Sequence, residues 1–414
     1  MKKELLIYFL GKVIPAIINL VVIVLAVRYM GKSEYGKYSL IYTSIMLIHS
    51  FSFGWVQQSS LRFLSMYPNS YCISVNRMIV LLGISSLAGC VLTLSIDLFY
   101  FHLTFTDIVI TLLFLVLFNF FMFRLVIHQI NYKSSRYVIL EIKYYLFFLL
   151  FLLLFLLYYK YSSQIILFWA MCISLGLVFA EEILRFVLSE RRKVFSSVYW
   201  NVQFSKKMFG YGFQITFWLF ISYLFNIVDR FIIKEFVGMR AVGIYSSVYD
   251  ILFKISTFAC MPVLLTFHPR ISELWNKNEV ESSLLTIKRA LKIELGLIIL
   301  VTLGFIAIKG FIYDTILKLN EGPLWHLTVP ILLSGFLWQI AMLLYKPLEM
   351  QLKQKFMIIG CLLSLCVNII LNVLLIPVLG YQVAAYTTLI GVLTYIVFVL
   401  IITNKYCNIN HFIL

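Results

Sequence analysis

The chain has 414 residues, of which 62% are hydrophobic and only 13% charged, and it carries a formal net charge of +16. A soluble domain is about 45–50% apolar and about 25% charged, so this composition excludes a soluble globular fold and points to a polytopic membrane protein. The basic excess does not describe a nucleic-acid surface. Its lysines and arginines are scattered through short loops between apolar runs and build no continuous basic face.

A helix needs roughly 20 apolar residues to cross the hydrocarbon core. Twelve segments qualify: 5–30, 38–60, 78–98, 107–128, 138–159, 164–187, 208–233, 244–267, 289–312, 326–348, 357–378 and 381–403. The first follows a positively charged start. It is too long for a signal peptide and reads as a retained membrane helix. The expected fold is therefore all-α, with 12 transmembrane helices in two six-helix lobes. The lobes are residues 1–187 and 208–414, joined by a cytoplasmic linker at 188–207.

Orientation follows from the loops. With the N-terminus inside, the inner segments carry eighteen lysines and arginines and the outer loops six. This positive-inside bias places both termini in the cytoplasm. The longest loops, around 188–207 and 268–288, are then cytoplasmic. The first, SERRKVFSSVYWNVQFSKKM, interleaves basic and aromatic residues. That pattern suits either an interfacial helix on an anionic leaflet or a plain solvated linker.

The two halves share a frame. Asn19, Gly31, Gly36, Tyr38, Ser39 and Tyr42 each recur 207 residues later, as Asn226, Gly238, Gly243, Tyr245, Ser246 and Tyr249. Six matches at one register indicate a duplicated unit. Six helices per unit make it a parallel repeat, whose lobes rock about a central site.

Motifs for chemistry are sparse. Ala26 to Ser33 nearly matches a P-loop, but Ala26 stands at its first glycine and the segment ends a membrane helix. Neither the seven cysteines nor the six histidines show metal-ligand spacing, and the cysteines read as small packing residues. No HExxH, GxSxG or carboxylate pair appears, so no catalytic residue, metal or cofactor is expected.

Charges inside apolar helices remain. Each costs roughly 2.5–3.5 kcal/mol at a helix centre, so each needs a partner or water. Lys254 is the deepest, and Asp250 one turn earlier offers it an i,i+4 partner. Asp229 and Arg230 are adjacent, point about 100° apart and do not satisfy each other. One then faces a cavity and the other a neighbouring helix. Arg28 and Arg62 stand at helix ends, and Arg124 lies toward the inner end of its segment. Glu181, Glu182 and Arg185 crowd another inner end, with an i,i+4 pair open to Glu181 and Arg185. Cations outnumber acids, and an interior of this kind suits an anionic substrate, with arginine offering a fork to phosphate.

Arg28-Tyr-Met-Gly31 with Tyr35-Gly36-Lys-Tyr38-Ser39 resembles the start of polysaccharide flippases. Asp229-Arg230 with Gly238-x4-Gly243-Ile-Tyr245-Ser246 resembles their seventh helix, and His268-Pro-Arg-Ile-Ser272 the end of their eighth. Asn368-x3-Asn372-x3-Ile376-Pro377-x2-Gly380, followed by Ala384-Ala385 and Thr387-Thr388, resembles a further motif, with Val383 at a usual glycine. The chain is thus similar over its length to Wzx-type O-antigen or capsule repeat-unit flippases of the multidrug and oligosaccharidyl-lipid exporter superfamily. The resemblance implies an inner-membrane transporter, not an enzyme, that moves undecaprenyl-diphosphate-linked oligosaccharide by alternating access. Its partners would be that lipid-linked oligosaccharide, membrane lipids and the polysaccharide polymerase machinery, with no nucleic acid. Arg28, Arg62, Arg124, Arg230 and Lys254 are the candidates for diphosphate or glycan. Asp229, Asp250 and Glu181 are the candidates for coupling to a proton or sodium gradient. A small-molecule antiporter of the same fold is an alternative. An O-antigen polymerase or ligase is another, though it would be expected to carry a large outer loop.

Overall fold

In the hydrocarbon core no water is present to satisfy backbone groups, so an apolar run closes its own hydrogen bonds as a helix. A computed structural model describes residues 2–64, 71–131, 133–158, 163–189, 201–318, 324–351 and 353–407. Among these residues every regular element is helical. In chain order they are α1 Lys2–Met30, α2 Lys32–Phe63, α3 Tyr71–Phe99, α4 Phe105–Ile130, α5 Ser134–Leu153 and α6 Ile165–Ser189. There follow α7 Val202–Phe236, α8 Met239–Asn276, α9 Val280–Gly310, α10 Trp325–Leu344, the short α11 Lys346–Met350, α12 Gln354–Leu379 and α13 Ala384–Cys407. Wider π-type turns extend α5 through Tyr158 and α9 through Ile316. Twelve of the helices are long and apolar enough to span a membrane, as expected.

The chain divides into two compact units, Met1–Tyr223 and Leu224–Leu414. The division falls within α7, so Val202–Tyr223 groups with the first unit. Most of the expected linker, residues 190–200, lies outside the described residues, and with it the interfacial-helix reading. In the first unit α1 packs on α5 and α2, while α4 sits among α2, α3, α5 and α6. In the second, α8 packs on α9 and α10, and α13 packs on α10 and α12. Large aliphatic side chains stay exposed along α3 and α9, among them Leu87, Val91, Ile299 and Leu303. These surfaces need no protein partner in lipid.

One expected loop is absent. Residues 268–288 are almost wholly helical, with only Lys277–Glu279 between α8 and α9. The 38 residues of α8 make a rod of about 57 Å, well beyond the hydrocarbon thickness, so it continues into the aqueous phase. Its polar end holds ladder pairs, Arg270 to Glu273 at 3.2 Å and Lys277 to Glu273 at 2.7 Å. Hydrogen bonding from Lys277 holds the Glu273 carboxyl below its ordinary value. Asn278, at φ +62°, then takes the left-handed position that ends the helix, and Glu279 N donates to Leu274 O at 3.0 Å.

The repeated frame is a repeated turn. Gly31 and Gly238 precede α2 and α8 with φ of +85° and +105°, a region open to glycine at little cost. The repeat extends to the side chains. Tyr38 stacks on Tyr42 at 5.5 Å and Tyr245 on Tyr249 at 5.7 Å. Gly380 gives the same turn a third time, at φ +79°, before α13. The near P-loop is the α1–α2 turn and is preceded by a helix.

Within the first unit, α7 approaches α2 closely. Ser59 Oγ donates to Met208 O at 2.5 Å, and a Cβ on Gly212 would stand 2.3 Å from Trp55 O. Gly212→Val is therefore expected to destabilise the protein by about 1–3 kcal/mol. Gly210 has open space around its Cβ position, and Gly210→Ala is expected to be neutral or to stabilise by up to about 1 kcal/mol. Thermal unfolding of both variants in detergent separates close approach from helix propensity.

Candidate functional site

A carboxylate in an apolar bundle must find donors. In the second unit Asp229, on α7, is 1% exposed and takes its donors from three other helices. Asn372 Nδ2 of α12 donates to Oδ1 at 2.6 Å. Tyr245 of α8 and Thr388 of α13 donate to Oδ2 at 2.7 and 2.5 Å. Behind these, Thr387 Oγ1 donates to Asn372 Oδ1 at 2.5 Å, and Asn372 Nδ2 also reaches Asn368 Oδ1 at 3.1 Å. Asn368 Nδ2 is buried without a hydrogen-bond partner. All of these donors are neutral. The shell therefore satisfies the carboxyl oxygens without supplying a cation.

Arg230 turns to another face. It is 4% exposed, donates through Nη2 to Asp250 Oδ1 of α8 at 2.5 Å, and lies 5.6 Å from the centre of the Tyr249 ring. Tyr249 is held in turn by Asn226, its hydroxyl donating to Oδ1 at 3.0 Å. The expected Asp250–Lys254 pair does not form, because Asp250 takes its charge partner from α7 and not from its own helix. Lys254 is half-buried one turn further along α8, within the field of both Asp250 and Arg230. The three side chains bring two basic groups to one carboxylate in the second unit. Asp229 and Arg230 thus bond different side chains and both are buried, where one of them is expected from the sequence to face a cavity.

The first unit has its own charged centre, where α4, α5 and α6 meet. Glu182, with its side chain 8% exposed, accepts Arg124 Nε at 2.8 Å, Arg136 Nε at 2.9 Å and an Nη2 contact from the same arginine. His128 Nε2 lies 3.2 Å from it. Glu181 accepts from Lys143 at 2.7 Å, with Arg136 at 3.5 Å. The side chain of Arg185 lies outside the described residues. Arg124 is thus a member of a network. Arg28 is exposed at the end of α1. Arg62 is exposed at the end of α2, where its Nη1 donates to Tyr211 OH at 3.3 Å.

The sequence reading missed several polar residues. His49, Asn119, Ser52 and Ser86 link α2, α3 and α4, with His49 Nδ1 2.6 Å from Asn119 Oδ1 and Asn119 Nδ2 2.9 Å from Ser86 Oγ. Glu294 of α9 is fully buried, and both of its carboxyl oxygens lack a hydrogen-bond partner among the described residues. Asn368, Asn372 and Thr388 stood in a motif that marked relatives, and their part in the Asp229 shell was not foreseen. The available signal was two amides four residues apart on an apolar helix, since buried amides must be bonded.

A family model described as polysaccharide biosynthesis protein matches residues 1–275 of this chain. The chain belongs to that family. No curated protein matches it. Among solved structures, this family member is similar to the lipid II flippase MurJ in an inward closed conformation, with a TM-score of 0.76 and 14% identity over 96% of this chain and 87% of the other. It is also similar to a multidrug resistance MATE family transporter of the MOP superfamily, inward-facing, at 0.73 and 13% identity over 95% and 94%. A MATE transporter of Vibrio cholerae gives 0.67 and 14% over 99% and 97%. At these identities the likeness establishes the fold alone, a multi-pass helical bundle of the kind these transporters have.

The two buried glutamates differ in their surroundings, and their variants should differ too. Glu182→Ala leaves two arginines facing each other and is expected to cost about 3–5 kcal/mol. Glu294→Leu removes an unpartnered carboxyl from an apolar site and is expected to stabilise the fold by about 1–3 kcal/mol. Melting temperatures of the purified variants, moving in opposite directions, check both.

Proposed function

We propose that the protein is a flippase that moves polyprenyl-diphosphate-linked oligosaccharide, an O-antigen or capsule repeat unit, across the inner membrane by alternating access, with both termini cytoplasmic. The observation that carries this reading is the Arg230–Asp250–Lys254 group. It gathers two basic side chains around one carboxylate inside a membrane-spanning bundle. A positive charge there is costly unless water or an anion attends it. A diphosphate brings negative charge, and an arginine fork and a lysine are the side chains that bind phosphate oxygens. Membership of a polysaccharide biosynthesis family supports a glycan on that phosphate. The chemistry is transport, with no covalent step. Arg28, Arg62 and Arg124 stay proposed substrate contacts of the first unit, Arg124 being held by Glu182 there, and the polysaccharide polymerase machinery would receive the product.

Coupling falls to Asp229. Of the three proposed coupling acids, Asp250 is held by Arg230, and Glu181 by Lys143 and Arg136. Among the described residues the donors to Asp229 are neutral, so its carboxyl could take up a proton or a sodium ion. Such a carboxylate can change its occupancy without first breaking an ion pair.

Two measurements test this reading. In a deletion strain, Lys254→Ala and Arg230→Ala are expected to lose surface polysaccharide at unchanged protein level, with Lys254→Arg partly restoring it. In proteoliposomes Lys254→Ala is expected to slow flipping at least about tenfold, which corresponds to about 1.4 kcal/mol. Full rescue by both alanine variants removes the site assignment. Asp229→Asn is expected to make flipping independent of imposed pH and sodium gradients. If wild-type flipping is already indifferent to both gradients, coupling is refuted.

A further inference from the structure

The first unit carries a groove that the charged centres do not explain. On α7 its lining residues are Val202, Ser205, Lys206, Phe209 and Phe213, one face of the helix at i, i+3, i+4, i+7 and i+11. Leu81, Ile84, Ser85 and Ala88 form the matching face of α3, and Phe51 and Trp55 that of α2. The enclosed volume is about 520 Å³. Ile84, Ala88, Val202 and Phe209 are exposed, so the groove opens along its flank. Its polar groups are already used. Ser85 Oγ donates to Ser52 O at 2.6 Å and accepts from Trp55 Nε1 at 3.1 Å. Apart from Lys206, nothing in the lining selects for a polar ligand.

The groove has one charged end. Pairing of Ser59 with Met208, and the approach of Gly54 to Thr216, make α2 and α7 antiparallel. The start of α7 therefore lies beside the end of α2. At that end, cations rest on aromatic faces. Arg62 stands 4.7 Å from the Tyr211 ring centre, Lys207 4.8 Å from Phe63 and Arg77 5.5 Å from Phe204. Lys206 is exposed in the groove itself. Neither Arg62 nor Lys206 has a carboxylate within 4 Å among the described residues. At the opposite end Phe51 meets Phe213 and Phe220 at 5.9 and 5.7 Å, edge to face. An apolar channel with Lys206 in its lining, and further cations gathered at the same end of α2 and α7, fits one hydrocarbon chain bearing more than one negative charge. A diacyl lipid with a single phosphodiester matches neither feature.

We propose that the groove between α2, α3 and the start of α7 holds the isoprenoid chain of a polyprenyl diphosphate, with Arg62 and Lys206 at its mouth taking the diphosphate. This rests on the flippase reading for its choice of lipid. It gives the carrier chain a seat on the first unit. The aromatic rings offer broad apolar faces to a methyl-branched chain. The arginine, already stacked on Tyr211, still presents N–H donors to phosphate.

The test uses the full chain in nanodiscs and a polyprenyl diphosphate, without sugar, carrying a photoreactive group on its chain. Labelling is expected on residues 81–88 and 202–213. Excess unlabelled polyprenyl diphosphate should abolish it, and excess phosphatidylglycerol should not. Ala88→Trp fills the groove from an exposed position and is expected to cut labelling about tenfold at unchanged melting temperature. Lys206→Glu should weaken competition by the diphosphate about tenfold, and Lys206→Arg should not. Equal competition by phosphatidylglycerol, or labelling indifferent to Ala88→Trp, overturns the proposal. Active flipping without groove labelling overturns the groove and leaves the flippase reading intact. Groove labelling in a protein that flips no lipid-linked oligosaccharide supports the groove and overturns that reading.

Discussion

A carboxylate without a cation, sealed among helices, sets the terms for the second unit. Asp229 cannot reach water, and each of its lone pairs that goes unbonded is costly in a medium of low polarity. Its shell therefore needs donors from three separate helices. Asn372, Tyr245 and Thr388 supply them, and α8, α12 and α13 are held in register with α7 by the same contacts. Hydrogen bonds to a charged group contribute about 1.5–3 kcal/mol each, more than a typical neutral pair. The turn at Gly380 and the apolar positions around Pro377 have their use here, because they bring Thr387 and Thr388 back alongside Asn372.

The duplicated frame shows how this centre departs from its own repeat. In the first unit the positions matching Asp229 and Arg230 are Val22 and Ile23, both buried. The turn glycines and the stacked tyrosines are common to both halves, so they belong to the architecture. The charges belong to one half. The first unit instead gathers its charge where α4, α5 and α6 meet, and it does so by pairing. Glu182 meets Arg124, Arg136 and His128 directly. A paired network of this kind resists change, since losing any member strands the others. A carboxylate ringed by hydroxyls and amides loses much less when a proton or cation arrives or leaves.

Much of the architecture could be read before the structure. Apolar runs and alternating loop charge gave twelve spans, because lipid forces each run into a helix. Where water begins, that logic ends. The hairpin at Lys277–Glu279 looked like a twenty-residue loop because its helices continue on ladder pairs and an asparagine cap, with no apolar signal. Side-chain partners were legible only when local. The pairing of Asp250 with Lys254 was the nearest available in sequence, and Arg230, twenty residues away, displaced it. Glu182 drew less notice than Glu181, yet it is the hub, because its partners lie on α4 and α5. Glu294 left no trace at all, being a single acid in an apolar run.

The distribution of ionisable groups then separates tasks that one central site would have to combine. Among the described residues Lys254 has no carboxylate within 4 Å, and the hydrogen-bond donors to Asp229 are neutral. Lys254 and Asp229 sit in the same unit, on helices that touch, and are separated by the Arg230–Asp250 pair. That pair has a consequence. If the anion attending Lys254 also drew on Arg230, Asp250 would lose its partner and the field around Tyr249 would change. Tyr249 stacks on Tyr245, which bonds Asp229. A continuous line of contacts thus runs from the cationic group to the carboxylate, through two rings already fixed by the repeat. Spatial continuity alone does not make coupling. The line does join a basic group to a carboxyl through side chains whose partners can change.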